Sequence, residues 1–182
     1  MTAAIKPIFT RNGIRLLNLF LFSPTAEFHQ AEAIKRSGLS RTTVARLLKE
    51  FRKEGLLRVT RKGDLTLYSI VSGHPVVRQL KIFLNVTNLY EVFQSLSGHD
   101  IEVYLYGSAA RGDDEERSDI DLLIIAGPNN QEVLKVLEKA RRKISREINA
   151  VIYSPADYAR LPETDNLFYN NVEKDKIAII TW

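Results

Sequence analysis

Two carboxylates one residue apart, Asp119 and Asp121, stand ten residues beyond a Gly107-Ser108 pair. In a β-strand, residues two apart share a face, so both carboxylates would project together and Ile120 would project oppositely. Such a pair repels itself unless a divalent cation lies between the two groups. Hard oxygen ligands of this kind suit Mg²⁺, with water and substrate phosphate completing the shell. Gly107-Ser108, opening a short helix, would offer N–H groups and a hydroxyl to a triphosphate. A phosphate-gripping turn facing a metal-binding pair is what nucleotidyl transfer requires, because the cations neutralise charge and align the attacking and leaving oxygens.

These residues need strands to hold them. Glu102–Tyr106 and Leu122–Ile125 read as strands on either side of the motif. Glu132–Arg142 reads as a helix, with Val133, Val136, Leu137 and Ala140 on one side. Ile148–Tyr153 reads as a third strand and Lys176–Thr181 as a fourth, while the charged run Asp113–Arg117 reads as a surface loop. The alternation of strand and helix predicts a mixed sheet flanked by helices.

The first half has a different texture. Ile14–Phe22 is apolar enough for a helix buried on most sides, and Ser23-Pro24-Thr25 ends it. A second helix is expected over Ala26–Lys35, stopped at Ser37-Gly38. Ser40 would cap a third, Arg41–Glu54, with Val44, Leu47, Leu48 and Phe51 sharing one face. Leu56–Thr60 and Leu65–Ile70 read as a hairpin whose turn contains Arg61-Lys62-Gly63-Asp64. A further helix starts at Pro75 and runs to about Leu96. Its apolar excess predicts packing between two domains or against a second copy, a homodimer through residues 75–96.

The 182 residues contain no Cys, which excludes disulfides and thiolate zinc sites and makes a reducing cytoplasm the natural setting. The N-terminus, MTAAIKPIFTRNG, lacks an apolar run suited to a signal peptide, and no segment is long and apolar enough for a membrane partner. The net charge of +4 conceals an asymmetry: residues 1–98 sum to +9 and residues 99–182 to −5. A basic half joined to an acidic half points to two units with different partners, nucleic acid being the expected one for the first.

The stretch IKRSGLSRTTVARLLKEFRKEGLL and the hairpin after it closely resemble the winged helix-turn-helix family over roughly residues 13–72. That resemblance implies a recognition helix in the major groove, with Ser40, Arg41, Thr42, Thr43 and Arg46 toward the bases. Arg61 and Lys62 would meet phosphates at the wing. Residues 98–182, carrying GS-x10-DxD within SDIDLLI, resemble the polymerase-β superfamily, specifically its minimal nucleotidyltransferases, some of which act as antitoxins to HEPN toxins. The resemblance implies that Gly107 and Ser108, assisted by Arg111, bind the phosphates of an NTP, with ATP the expected one. It also implies that Asp119 and Asp121 are catalytic and hold Mg²⁺.

The family carries a third carboxylate on the following strand, and the matching position here is Asn149. An amide can coordinate a cation but brings no charge and cannot act as a base. Glu147, two residues earlier, would share its face if the strand began there. The expected architecture is therefore α+β: a winged helix-turn-helix over 1–73, a linker helix over 74–97, and a nucleotidyltransferase domain over 98–182. Two functions fit it. One is transfer of NMP to a protein or nucleic-acid acceptor. The other is a DNA-binding regulator or antitoxin whose transferase domain only senses nucleotide or docks a toxin.

Overall fold

In the computed structural model, residues 10–127 and 130–181 are described. The signal-peptide reading falls largely on residues 1–9, outside that set. The chain divides between Arg78 and Gln79 into two compact units.

The first unit contains α1 (Arg11–Leu21), β1 (Phe28–His29), α2 (Gln30–Ser37), α3 (Arg41–Lys53), β2 (Leu57–Lys62) and β3 (Leu65–Ile70). Its three strands lie in the order β1-β3-β2, all antiparallel. Leu16, Leu17, Phe20, Val44, Leu47, Leu48 and Phe51 are fully enclosed, so α1 and α3 supply the faces that make the core.

The second helix begins four residues later than its sequence suggested. Phe28 is drawn out of it by edge-on ring contact with Phe20 at 5.2 Å and by pairing with Tyr68. His29 then caps α2, its Nδ1 accepting the Glu32 N–H at 3.2 Å. Gly38 ends α2 at φ +64°, a left-handed conformation that a Cβ would oppose. Ser40 caps α3 as expected, its Oγ accepting the Thr43 N–H at 3.2 Å. The first hairpin strand runs two residues further than expected, so Arg61 and Lys62 sit on the end of β2 rather than in the turn, while the second strand, Leu65–Ile70, is as expected.

From Pro75 to Phe93 runs α4, closed by a 3₁₀ turn over Gln94–Leu96. The second unit continues with β4 (Glu102–Tyr106), α5 (Gly107–Arg111), β5 (Ile120–Ile125), α6 (Gln131–Lys143), β6 (Ile148–Tyr153), α7 (Pro155–Thr164), α8 (Asn166–Asp175) and β7 (Ile177–Ile180). Its sheet order is β6-β5-β4-β7, parallel between β5 and β6 and antiparallel elsewhere.

Alternation along β5 sorts the two faces of this sheet. Ile120, Leu122 and Ile124 join Val103, Leu105, Leu89, Phe93 and the α6 residues Val133 and Leu137 in the larger core. Leu123 and Ile125 face the other way, against Val172, Tyr104, Tyr106, Tyr153 and Phe168, so α8 helps cover that side. α7 and α8 were not foreseen. Ser154 caps the first, accepting the Asp157 N–H at 3.1 Å with Pro155 at the opening position. Asp165 caps the second, accepting the Phe168 N–H at 3.0 Å. Among the described residues, no helix is long and apolar enough to cross a membrane.

Candidate metal and nucleotide site

The β4–β5 and β5–β6 pairings set the geometry. Tyr106 lies opposite Asp121 on one side, and Asn149 lies beside Asp121 on the other. Tyr106 leads directly into Gly107, where the backbone turns at φ +75°. A Cβ built at that position would fall 2.4 Å from Asp121 Oδ2. Glycine is thus required twice, for the left-handed conformation and for the close approach of main chain to carboxylate.

Asp119 precedes β5 and is exposed, whereas Asp121 is half-buried on the strand. The Asn149 Nδ2 donates to Asp119 Oδ2 at 3.0 Å. Burial pushes the Asp121 carboxyl above its ordinary range; the Asn149 amide opposes that, and the Asp119 charge adds to it. Gly107, Asp119, Asp121 and Asn149 therefore converge at one end of the sheet. Glu147 lies just before β6 begins, exposed, its carbonyl accepting the Ile120 N–H at 2.8 Å.

Ser108 occupies the first turn of α5, half-buried, and its carbonyl accepts the N–H of Asp113 at 3.0 Å. Arg111 ends α5 and turns to Asp175, donating from Nη1 at 2.8 Å, with Asp113 at 3.5 Å. These partners, Asp175 foremost, hold the guanidinium's pKa above its ordinary value. A phosphate reached by Arg111 would compete with Asp175 of α8.

The donor set can be weighed for a hard cation. Two carboxylates and an amide meet beside a residue that lacks a Cβ, and the more buried carboxylate is held high by desolvation. A divalent cation would relieve both conditions. Among the described residues, no cluster of three His, Cys, Asp or Glu side chains is placed to hold a metal. A cation here would thus take its remaining ligands from water and phosphate, which suits Mg²⁺.

Sequence reasoning missed the groups behind this site. The run Asp113–Arg117 is not simply a surface loop, because Asp114 is fully buried. Its Oδ2 accepts from Arg146 Nη1 at 2.6 Å and from Asn85 Nδ2 at 2.9 Å, and its carbonyl accepts from the Lys81 ammonium. Among the described residues, Asp114 Oδ1 has no hydrogen-bond partner. Burial lowers the pKa of Lys81, and the nearby Asp114 charge opposes that shift. The signal lay in α4, where two polar residues, Lys81 and Asn85, hold the enclosed positions while Phe83 is 55% exposed.

In the first unit, Ser40, Arg41, Thr42 and Arg46 are exposed along α3, and Thr43 is half-buried. Arg61 and Lys62 are exposed on the hairpin. Two of these cations are held within the chain. Arg46 Nη1 donates to both carboxylate oxygens of Glu50, at 2.8 and 3.0 Å, and Lys62 lies 2.5 Å from Glu27.

Comparison with known proteins agrees with both halves. The family model for the nucleotidyltransferase domain matches residues 86–179, and that for the IclR helix-turn-helix domain matches residues 10–61. Solved structures to which the chain is similar include a presumed nucleotidyltransferase from Sulfolobus solfataricus, 23% identical. That match covers 58% of this chain and 88% of the other, with a TM-score of 0.36. They also include the transcriptional repressor BigR from Xylella fastidiosa, 20% identical, over 50% of this chain and 82% of the other, with a TM-score of 0.37. No curated protein matches the chain.

Proposed function

The chain belongs to the nucleotidyltransferase domain family, and on that premise we propose that its second unit binds a nucleoside triphosphate with Mg²⁺ and transfers the NMP group to an acceptor hydroxyl on protein or nucleic acid. The observation that carries this reading is the convergence of Gly107, Asp119 and Asp121, where the main chain at Gly107 leaves no room for a Cβ beside the Asp121 carboxylate. Asp119 and Asp121 would hold the cation, and bound there it would neutralise charge on the phosphates. Gly107 and Ser108 would orient the phosphates, with Arg111 exchanging Asp175 for phosphate oxygen. The acceptor oxygen forms a bond to the α-phosphorus as the bond to the bridging oxygen breaks, and pyrophosphate departs. The hydroxyl proton passes to water, since the Asn149 amide has no basic lone pair to receive it. The test is incubation with labelled ATP, Mg²⁺ and candidate acceptors. Label transfer that vanishes in Asp119→Ala supports the reading; no transfer to any acceptor, with no ATP-dependent rise in melting temperature, overturns it.

A second reading rests on Asn149. With an amide in place of the third carboxylate, the second unit would sense nucleotide or dock a toxin of the HEPN type, and the DNA-binding first unit would carry the output. Under this reading Arg41, Thr42 and Arg46 on α3 enter the major groove, and Arg61 and Lys62 meet the backbone. Salt-sensitive DNA binding without any label transfer is its expected result. We keep with either reading a homodimer through α4, supported by the exposure of Phe83 and Tyr90, 55% and 51%, seven residues apart on that helix. A monomeric mass by light scattering would remove it.

A further inference from the structure

α4 departs from the pattern expected of a core helix. Of its residues in the second unit, Lys81, Asn85, Leu89, Val92 and Phe93 are enclosed, so a charge and an amide stand where aliphatic side chains belong. Buried polar groups are retained where their hydrogen bonds are made, and such breaks of pattern concentrate at functional sites. Here the bonds lead to both halves of the proposed site. Asn85 Nδ2 donates to the Ala109 carbonyl of α5 at 3.2 Å, the short helix that Gly107-Ser108 opens. The same nitrogen donates to Asp114 Oδ2 at 2.9 Å.

Asp114 in turn anchors Arg146, whose side chain is only 11% exposed. That guanidinium spans four acceptors. Nη1 donates to Asp114 Oδ2 at 2.6 Å and to Asn85 Oδ1 at 3.4 Å, Nε to the Ser118 carbonyl at 2.6 Å, and Nη2 to the Asp119 carbonyl at 3.1 Å. Two of its partners are therefore main-chain atoms of the segment entering β5, one of them Asp119 itself. Only a planar fork with several donors can hold this set at once; an ammonium reaches as a single point.

We infer that Arg146, anchored by Asp114 and Asn85, is a positioning residue that fixes the Asp119–Asp121 carboxylates for metal. This inference rests on the metal–nucleotide reading of the site. Arg146 acts on the pair through the main chain that carries it. Loss of outer groups that orient metal ligands lowers metal affinity by about 10- to 100-fold. The same loss is expected here, in a site with only two carboxylates and so little surplus affinity.

The experiment is a Mn²⁺ titration of the full chain followed by electron paramagnetic resonance, with the melting temperature recorded alongside. Arg146→Lys keeps a cation beside Asp114 but removes the fork. It should remain folded while Mn²⁺ affinity falls by about tenfold or more. A folded Arg146→Lys with wild-type affinity overturns the inference. Should that variant fail to fold, the pair Asp114→Asn with Arg146→Gln removes both members of the ion pair together and is read in the same way. A purely structural role would lower the melting temperature and leave the affinity of the folded protein unchanged. If the wild-type chain binds no Mn²⁺ with or without ATP, the metal–nucleotide reading itself fails and this inference falls with it.

Discussion

Replacing Gly107 by Ala separates the stability of the second unit from its chemistry. The substitution acts through two terms. A residue with a Cβ at φ +75° costs about 1–2 kcal/mol. The new Cβ would also lie 2.4 Å from Asp121 Oδ2, when ordinary contact begins near 3.4 Å. The obstructing atom is the tip of a side chain, so the carboxylate can swing away by about 1 Å at little further cost to folding. That swing removes it from the position where it would meet metal, and a displacement of about 1 Å can lower a rate by about 100-fold. A melting experiment with and without Mn²⁺ and ATP reads both terms. The ligand-free midpoint should fall by about 2–8 °C, and the ligand-dependent rise should disappear. An Ala variant that keeps the full rise would refute the claim that main chain and carboxylate must approach each other here.

Four further substitutions have expected outcomes. Asn149→Asp places a third carboxylate against Asp119, where the amide now donates at 3.0 Å. The metal-free protein should melt lower and bind Mn²⁺ more tightly, and calorimetry showing unchanged affinity would contradict the placement. Ser40→Ala removes the cap of α3 and should cost about 1 kcal/mol by urea unfolding; a loss below a few tenths would show that the 3.2 Å bond from Thr43 contributes little. Glu50→Gln frees Arg46 from its two carboxylate bonds. DNA affinity of the full chain at low salt should then rise, while Arg41→Ala should lower it and reduce the salt slope by about 0.9.

The approach of Gly107 to the Asp119–Asp121 segment was legible because these residues are close in sequence and flank two adjacent strands. The strands were also legible, since LLII in β5 is a continuous apolar run closed on both faces. Arg146 was not, because its carboxylate partner lies 32 residues away and sits in a run, DDEER, that by charge alone belongs in water. The same long-range pairing inverted part of α4: Lys81 and Asn85 turn inward to meet Asp114, so hydropathy misplaces Phe83. α7 and α8 carried cap signals at Ser154-Pro155 and Asp165, but Pro162 within α7 interrupts the periodicity that would have announced a helix. The early start expected for α2 failed for a tertiary reason, because the contacts of Phe28 with Phe20 and Tyr68 outweigh its place in a helix.

The central claim is that the carboxylates after Gly107-Ser108 hold a cation and a nucleotide together. Isothermal calorimetry of the full chain with ATP, in the presence and absence of Mn²⁺, tests it most directly when wild type and Asp119→Ala are compared. Metal-dependent ATP binding is expected in the wild type, weakening by at least about tenfold, or roughly 1.4 kcal/mol, in the variant. Equal binding by both proteins, or ATP binding indifferent to Mn²⁺, would contradict it.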